Sequence, residues 1–344
     1  MTDPAPWRRP AHEGADSPYR HASAPADDAP SYRTLTYEVD GRVARLRFNR
    51  PEQGNSITPD TPVELADAVE RADLDPRVHV IVLSGRGKGF CGGYDLAASA
   101  EHLMDGGTGV GGGAAGTVLD PTVQMTNHDP AGTWDPMVDY AMMSRFTRGF
   151  ASLLHADKPT VAKIHGFCVA GGTDIALHCD QIVIADDAKI GYPPTRVWGV
   201  PSAGLWAHRL GDQRAKRLLL TGDCLSGAEA AAWGLAIDAP PADELDERTE
   251  DLVQRIAAMP LNQLMMVKLA LNSALLAQGV QNSRMISTVF DGISRHTREG
   301  YAFQQRAAEA GFRQAVRERD AAPYDDSGPA TSNVTHRADR TTEE

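Results

Sequence analysis

Short apolar runs alternate with longer stretches of helical spacing through the first two thirds of the chain. Residues 35–48 hold two alternating runs separated by Asp-Gly, which predicts a β-hairpin because this pair favours tight turns. Residues 78–84 and 182–185 are short apolar runs typical of buried strands, and 61–72 and 137–156 have helical spacing. This alternation predicts an α/β fold.

From residue 202 the helical period continues almost to the end of the chain. The predicted helices are 203–210, 212–220, 227–233, 242–258, 261–278 and 282–317. We therefore expect a core over 32–240 and a helical region over 241–320. The ends, 1–31 and 321–344, are rich in proline, acidic and small polar residues, which predicts disorder.

Composition and charge narrow the classes of function. The 344 residues are 42% hydrophobic, as is usual for a globular enzyme, and the net charge of −12 argues against a nucleic-acid partner. No run approaches the roughly 20 apolar residues of a spanning helix, so we expect no membrane role and a cytoplasmic location. The four cysteines show no metal-ligand or disulfide spacing and are predicted to be free thiols.

Two glycine pairs follow predicted strands, Gly92-Gly93 before Tyr94 and Gly171-Gly172 after an apolar segment. Glycine permits tight turns and close approach of a ligand, so two such turns could aim two backbone N–H groups at one oxygen. A helix that begins at the second pair would place its positive dipole end beside that oxygen. The pattern predicts an oxyanion hole.

The order of these motifs resembles the crotonase family, also called the enoyl-CoA hydratase/isomerase family. The segments that carry the resemblance are Tyr37-Glu38-Val39, Asn49-Arg50-Pro51-Glu52, Tyr94-Asp95-Leu96, Lys158-Pro159-Thr160-Val161-Ala162, Ala170-Gly171-Gly172, Cys179-Asp180, Gly191-Tyr192-Pro193, Gly199-Val200-Pro201 and Thr297-Arg298-Glu299-Gly300-Tyr301-Ala302-Phe303. The resemblance implies a right-handed spiral of ββα units followed by a C-terminal helical trimerisation region. It also implies an acyl-CoA substrate and a homotrimer or homohexamer.

The resemblance assigns the chemistry to few positions. The backbone N–H groups of Tyr94 and Gly171 would form the oxyanion hole, and Asp174 would be the catalytic acid or base, one methylene shorter than the glutamate usual in the family. The family's second catalytic glutamate falls on Pro194, whose side chain cannot exchange a proton. The usual two-acid addition of water is therefore incomplete.

The resemblance also places the contacts to substrate. The expected substrate-binding residues are Arg50 and Lys88 for the coenzyme A phosphates and adenine, with Gly93, Asp95, Leu96, Gly172, Tyr192 and Pro194. No cofactor is expected apart from the coenzyme A of the substrate, and no metal. His165, His178 and His208 lack metal-ligand periodicity and are expected in the core or on the surface.

An inserted loop, about 97–136, is longer than the family usually has. Its glycine-rich part, 105–116, lacks the strand and the Lys-Ser/Thr ending of a phosphate loop, which favours a flexible insertion. The residues expected to shape the acyl end of the pocket are Met125, His128, Trp134, Met137 and Tyr140. The candidates to replace the missing acid are Tyr192, Asp186, Asp187, His128, Asp129 and Asp139.

Four functions remain open from the sequence. We favour an enoyl-CoA hydratase or close lyase, as in fatty acid metabolism, because hydration is the commonest activity of the family. An isomerase would need one acid, and the long insertion also suits a C–C or thioester hydrolase of a bulky acyl-CoA. Loss of the second acid at Pro194 also suits a non-catalytic protein that binds coenzyme A thioesters.

Overall fold

The computed structural model describes residues 31–95 and 116–321. Its backbone forms strands and helices in alternation, as the hydrophobic pattern predicts. Leu96 and the predicted disordered ends, apart from Ser31 and Ala321, lie outside the described residues. The strands are β1 (Leu35–Asp40), β2 (Val43–Phe48), β3 (Val80–Gly85), β4 (Thr160–Ile164), β5 (Phe167–Val169), β6 (Gln181–Ile184), β7 (Lys189–Gly191) and β8 (Cys224–Ser226).

The strands form two sheets. The main sheet has the order β1-β2-β3-β4-β6, with β1 antiparallel to β2 and all other neighbours parallel. The smaller sheet has the order β5-β7-β8, in which β5 and β7 are parallel and β8 is antiparallel. Residues 80–84 of β3 are all buried, because parallel strands are covered on both faces and consist of nearly continuous apolar residues.

Helices cover the sheets and continue beyond them. In the described part of the chain they are α1 (Asp60–Leu74), α2 (Pro121–His128), α3 (Pro136–His155), α4 (Gly171–Ala176), α5 (Ala203–Leu210), α6 (Asp212–Thr221), α7 (Gly227–Trp233), α8 (Leu245–Ala257), α9 (Leu261–Ala277), α10 (Val280–Arg295), α11 (Arg298–Ala310) and α12 (Phe312–Ala321). None of these helices is both long and apolar enough to cross a membrane.

Helix α3 lies between α1 and α10. It approaches α1 at Gly149, where a Cβ would lie 2.4 Å from the Pro62 carbonyl oxygen. It approaches α10 at Gly292, where a Cβ would lie 2.8 Å from Asp139 Cβ. These close contacts bring α10, from the C-terminal helical region, against the core.

Two predictions need correction. The stretch 282–317 is not one helix, because Thr297 accepts a hydrogen bond from Gly300 N and starts α11, and Gly311, with φ +84°, separates α11 from α12. The insertion at about 97–136 is not loop throughout, since it contains α2, whose N-cap Asp120 accepts from Thr122 N at 2.8 Å. Its residues 96–115 lie outside the described residues.

Candidate active site

The two glycine turns lie side by side. Phe90 N donates to Phe167 O at 2.9 Å, and Val169 N donates to Cys91 O at 3.0 Å. These bonds make a short parallel ladder between the segment that follows β3 and strand β5. The turn before Tyr94 therefore meets the turn that opens α4.

Glycine is required at this meeting point. Gly93 has φ +95°, and a Cβ there would lie 2.7 Å from Ala170 Cβ and 3.4 Å from Gly171 N. A Cβ at Gly172 would lie 2.6 Å from Cys91 O. Both turns can approach each other only without side chains at these two positions.

The backbone directions at both turns suit the predicted oxyanion hole. Gly93 O accepts from Ile57 N at 2.8 Å, and Asp95 N donates to Ile57 O at 2.9 Å. These two bonds direct the Tyr94 N–H between them away from Ile57. Gly171 is the first residue of α4, so its N–H has no acceptor within the helix. The N–H groups of Tyr94 and Gly171 can therefore donate to an acceptor other than Ile57 or the carbonyl groups of α4.

Arg50 holds the first turn in place. Its guanidinium forms an ion pair with Asp95 at 2.8 Å and donates to Ser56 O at 2.7 Å. Ser56 Oγ also donates to Asp95, at 2.9 Å. The structure thus gives Arg50 contacts inside the protein, whereas Lys88, the other basic residue expected to bind coenzyme A, is exposed.

Asp174 is buried in the first turn of α4, and its carboxylate accepts a hydrogen bond from Ser202 N at 2.8 Å. Burial raises the pKa of Asp174 to about 7, against the opposing effect of the Ser202 hydrogen bonds, and the nearby charge of Asp291 raises it further. A carboxyl group with this pKa is present in both protonation states near neutral pH, as a general acid or base requires.

Asp174 faces a small cavity. Its volume of about 10 Å³ is close to the minimum that one water molecule needs. Tyr94, Tyr192 and Ser202 line the cavity with Asp174, and Met143 and Thr147 of α3 close it. Burial raises the pKa of both phenols well above the usual value, so both remain neutral hydroxyl groups.

A second carboxylate lines the same cavity, and sequence reasoning missed it. Asp291 lies on α10, where its Oδ1 accepts from Val200 N at 3.1 Å and its Oδ2 accepts from Arg295 at 2.7 Å. The signal was a stripe of polar residues at helical spacing, Thr288, Asp291 and Arg295, in a helix otherwise rich in exposed apolar residues.

Pro194 lies in the 3₁₀ turn Pro193–Arg196, beside the cavity. A Cβ built on Gly199 would lie 3.2 Å from Pro194 Cβ, 3.4 Å from the Tyr192 phenol oxygen and 3.6 Å from Asp291 Oδ1. Tyr192 and Asp291 thus approach the same glycine that Pro194 contacts.

Most residues expected to replace the missing acid lie elsewhere. Asp139 Oδ2 accepts from Trp134 Nε1 at 2.8 Å and from His296 Nε2 at 2.9 Å, and the His128 ring lies 4.8 Å from the His296 ring. This cluster joins the insertion to the C-terminal helices. In the described part of the chain, Tyr192 lines the cavity, whereas Asp129, Asp139, Asp186, Asp187 and His128 do not.

The residues expected to shape the acyl end of the pocket likewise do not line the described cavity. Met125, Trp134 and Met137 are exposed, and His128 packs in the cluster around Asp139. Tyr140 is half-buried on α3, whose cavity-lining residues are Met143 and Thr147.

The three histidines that lack metal-ligand periodicity each place a ring nitrogen within hydrogen-bond distance of an oxygen atom. His178 Nδ1 lies 2.5 Å from Asp174 O, and burial lowers its pKa to about 3, which keeps the ring neutral. His165 Nε2 lies 2.8 Å from Gly87 O, and His208 Nδ1 lies 3.0 Å from Gln278 Oε1.

Comparison with known proteins identifies the family. The enoyl-CoA hydratase/isomerase family model matches residues 38–109 and 135–309. A crystal structure of an enoyl-CoA hydratase from Mycobacterium smegmatis is 67% identical, covers 84% of this chain and 93% of its own, and has a TM-score of 0.78. A probable enoyl-CoA hydratase of Rhizobium meliloti is 29% identical over 74% of this chain and 89% of its own.

A relative from Thauera aromatica, an (E)-benzylidenesuccinyl-CoA hydratase, is 28% identical over 80% of this chain and 98% of its own. The sheets, the paired glycine turns and these matches agree with the resemblance found in the sequence. The chain belongs to the enoyl-CoA hydratase/isomerase, or crotonase, family, and at the level of that family it is an acyl-CoA enzyme of the lyase class.

Proposed function

We propose that the protein is an enoyl-CoA hydratase, which adds water across the C2=C3 double bond of a 2-enoyl-CoA. One observation carries the proposal: a buried carboxyl group with a pKa of about 7, Asp174, lines a cavity of about one water volume next to the glycine turns. Two relatives support it by their names, the probable enoyl-CoA hydratase of Rhizobium meliloti and the (E)-benzylidenesuccinyl-CoA hydratase of Thauera aromatica.

The oxyanion hole would act on the thioester carbonyl. When water adds at C3, the double-bond electrons move toward the thioester oxygen, which accepts from the N–H groups of Tyr94 and Gly171. The N-terminal end of α4 favours the negative charge at this point. Asp174, in its neutral form, then gives its proton to C2.

The coenzyme A part of the substrate would extend toward the surface near Lys88. This residue is exposed, so its ammonium group can pair with a phosphate without losing an internal partner. Arg50 would contribute through the turn that it holds, because its guanidinium already pairs with Asp95.

The proposed assembly is a homotrimer of this chain, or a homohexamer built from two such trimers. Two neighbouring helices carry a run of exposed apolar side chains that a second copy would cover. On α9 and α10 these are Met266, Val267, Leu269, Leu271, Met285, Ile286, Val289, Phe290 and Ile293.

A second candidate function is a double-bond isomerase. The observation that favours it is Pro194 at the position of the second family acid, since one carboxyl group is enough to move a proton between two carbons of an enoyl-CoA. The two activities differ in whether an oxygen atom from solvent enters the product.

The test is incubation with aliphatic and aromatic enoyl-CoA thioesters in H₂¹⁸O, followed by mass spectrometry. Hydration gives a product that carries one labelled oxygen and retains coenzyme A. A shifted double bond without label would instead establish isomerisation, and a labelled free acid would establish hydrolysis.

Two variants at one position sharpen this test. Asp174→Asn should lower turnover about 10²–10⁴-fold with little change in thioester binding, because the amide cannot transfer the proton. Asp174→Glu, which keeps the acid, should retain more turnover than Asp174→Asn. Equal turnover in wild type and Asp174→Asn would contradict the assignment of Asp174.

A further inference from the structure

We propose that Asp291 is the second acid–base residue of this site and takes the proton of the water that attacks C3. The inference rests on the proposed hydratase function. Asp291 is buried, yet its carboxylate lines the same cavity as Asp174, which has room for about one water molecule.

One short loop holds both carboxylates. Val200 N donates to Asp291 Oδ1 at 3.1 Å, and Ser202 N donates to Asp174 Oδ1 at 2.8 Å. Amides two residues apart are separated by at most about 7 Å, even in extended backbone. The loop therefore limits the distance between the two carboxylates, both of which line the same cavity.

Asp291 also lies next to the position where the family carries its second acid. Pro194, Tyr192 and Asp291 all come within 3.6 Å of the place that a Cβ would take at Gly199. The carboxyl group that Pro194 cannot supply from the core is thus supplied at nearly the same place by α10.

The surroundings of the two acids suit different roles. Asp291 forms an ion pair with the Arg295 guanidinium at 2.7 Å, and Arg295 lies 3.6 Å from Asp139 on its other side. Asp174 has no such cation among its described contacts, and its pKa of about 7 keeps a neutral population. A charged base and a neutral acid are the pair that addition of water needs.

The step balances in atoms and charge. The water oxygen bonds to C3 while Asp291 takes one water proton, and the double-bond electrons move onto the thioester oxygen to form the enolate. The enolate then takes a proton from Asp174 at C2. The product gains one hydroxyl group and one hydrogen, and the proton on Asp291 returns to Asp174 by exchange with solvent.

The test separates water addition from proton transfer at C2. Asp291→Asn should lower the rate of hydration of a 2-enoyl-CoA about 10²–10⁴-fold, because the amide cannot accept the water proton. Exchange of the C2 hydrogen of a saturated acyl-CoA in D₂O, which needs Asp174 and the oxyanion hole alone, should change less than about tenfold.

Two controls address loss of structure. Asp223→Asn removes another buried carboxylate that pairs with arginine, at a position outside the described cavity wall, and should leave the ratio of hydration to exchange unchanged. Asp291→Glu keeps the charge and should recover part of the hydration that Asp291→Asn loses.

The outcomes separate the two proposals. If wild type hydrates and Asp291→Asn hydrates equally fast, or loses hydration and exchange in parallel, the role of Asp291 is overturned while the hydratase proposal stands. If wild type exchanges the C2 hydrogen but adds no water to any substrate, both proposals are overturned.

Discussion

Helix α4 is six residues long and wholly buried, whereas α9 is seventeen residues long and has one buried residue, Lys268. Each helix therefore buries a charged type of side chain, but the surroundings differ. Lys268 Nζ donates to Leu153 O and Lys158 O, at 3.1 and 2.9 Å, and pairs with Asp180 at 2.9 Å. Asp174 has no cation partner in the described residues.

The difference distinguishes a buried charge that stabilises the fold from a buried group that can take part in proton transfer. A buried charge with a complete set of partners is held in one protonation state and one place. A buried carboxyl group beside a cavity, without a cation, can gain and lose a proton near neutral pH. The outward faces differ too, because α9 exposes Val267, Leu269 and Leu271 while α4 exposes nothing.

The largest effect is expected when Lys268 is replaced. Lys268→Met removes the cation that pairs with Asp180 and a donor to two buried carbonyl groups, which should lower the free energy of unfolding by about 3–5 kcal/mol in urea denaturation. Lys216→Met is the matched control, since Lys216 pairs with Asp212 at the same 2.9 Å but on the surface, and should cost under about 1 kcal/mol. A similar loss of stability in both variants would show that burial of the Lys268 ion pair makes no difference to its contribution.

Next in size is the effect of a side chain between the glycine turns. Gly93→Ala puts a Cβ 2.7 Å from Ala170 Cβ, which should displace an oxyanion donor and lower kcat about 10²–10³-fold. Gly41→Ala, also at positive φ but with open space around its Cβ, should lose stability without this loss in kcat. Unchanged kcat in Gly93→Ala would argue against the oxyanion hole at these turns.

A smaller effect is expected on the outer face of α9. Leu271 is 67% exposed, and burying a leucine at a contact is worth about 2 kcal/mol. Leu271→Asp should therefore weaken the proposed trimer and shift the mass from light scattering toward 36.9 kDa as the protein is diluted. Leu220→Asp, on α6 and 82% exposed, should leave the mass unchanged, and a monomeric wild type would contradict the trimer.

A change of one pH unit is expected to have the smallest effect, on the free energy of unfolding. Because folding raises the pKa of Asp174 to about 7, the native state holds its proton where the unfolded chain has released it. This contribution is present below about pH 4 and is lost as pH rises to about 7, by about 1.4 kcal/mol per pH unit.

The free energy of unfolding of wild type, relative to that of Asp174→Asn, should therefore fall over this range and then level off. Parallel pH curves from the two proteins, measured by chemical denaturation, would show that burial does not raise the pKa of Asp174.

Local sequence signals predicted much of the fold. The Asp-Gly turn gave a hairpin whose strands pair from Leu35 with Phe48 to Asp40 with Val43, because turn chemistry and alternation act over a few residues. The helix predicted over 282–317 was wrong, since its breaks depend on the cap at Thr297 and the positive φ of Gly311. Hydrophobic spacing alone does not reveal such caps.

The sequence predicted the parts of the candidate site that lie on the glycine turns. It did not predict the part that depends on packing between segments far apart in the chain. Gly93 and Gly171 lie in short motifs, the family resemblance adds Asp174, and the structure brings all three together. Asp291 comes from a helix far along the chain, and the packing of α10 against α3 at Gly292 brings it to the cavity. Such a position depends on tertiary contacts that sequence spacing does not record.

Helix α10 lines the cavity with Ser287, Thr288 and Asp291 and presents Val289 and Phe290 to the outside. In the proposed assembly, a second copy that covers the outer face would also restrain the inner one. Specific activity would then depend on protein concentration, since a dilute chain keeps every active-site group but loses the rigidity of the helix that carries Asp291. A newly synthesised chain would have little activity before it assembles.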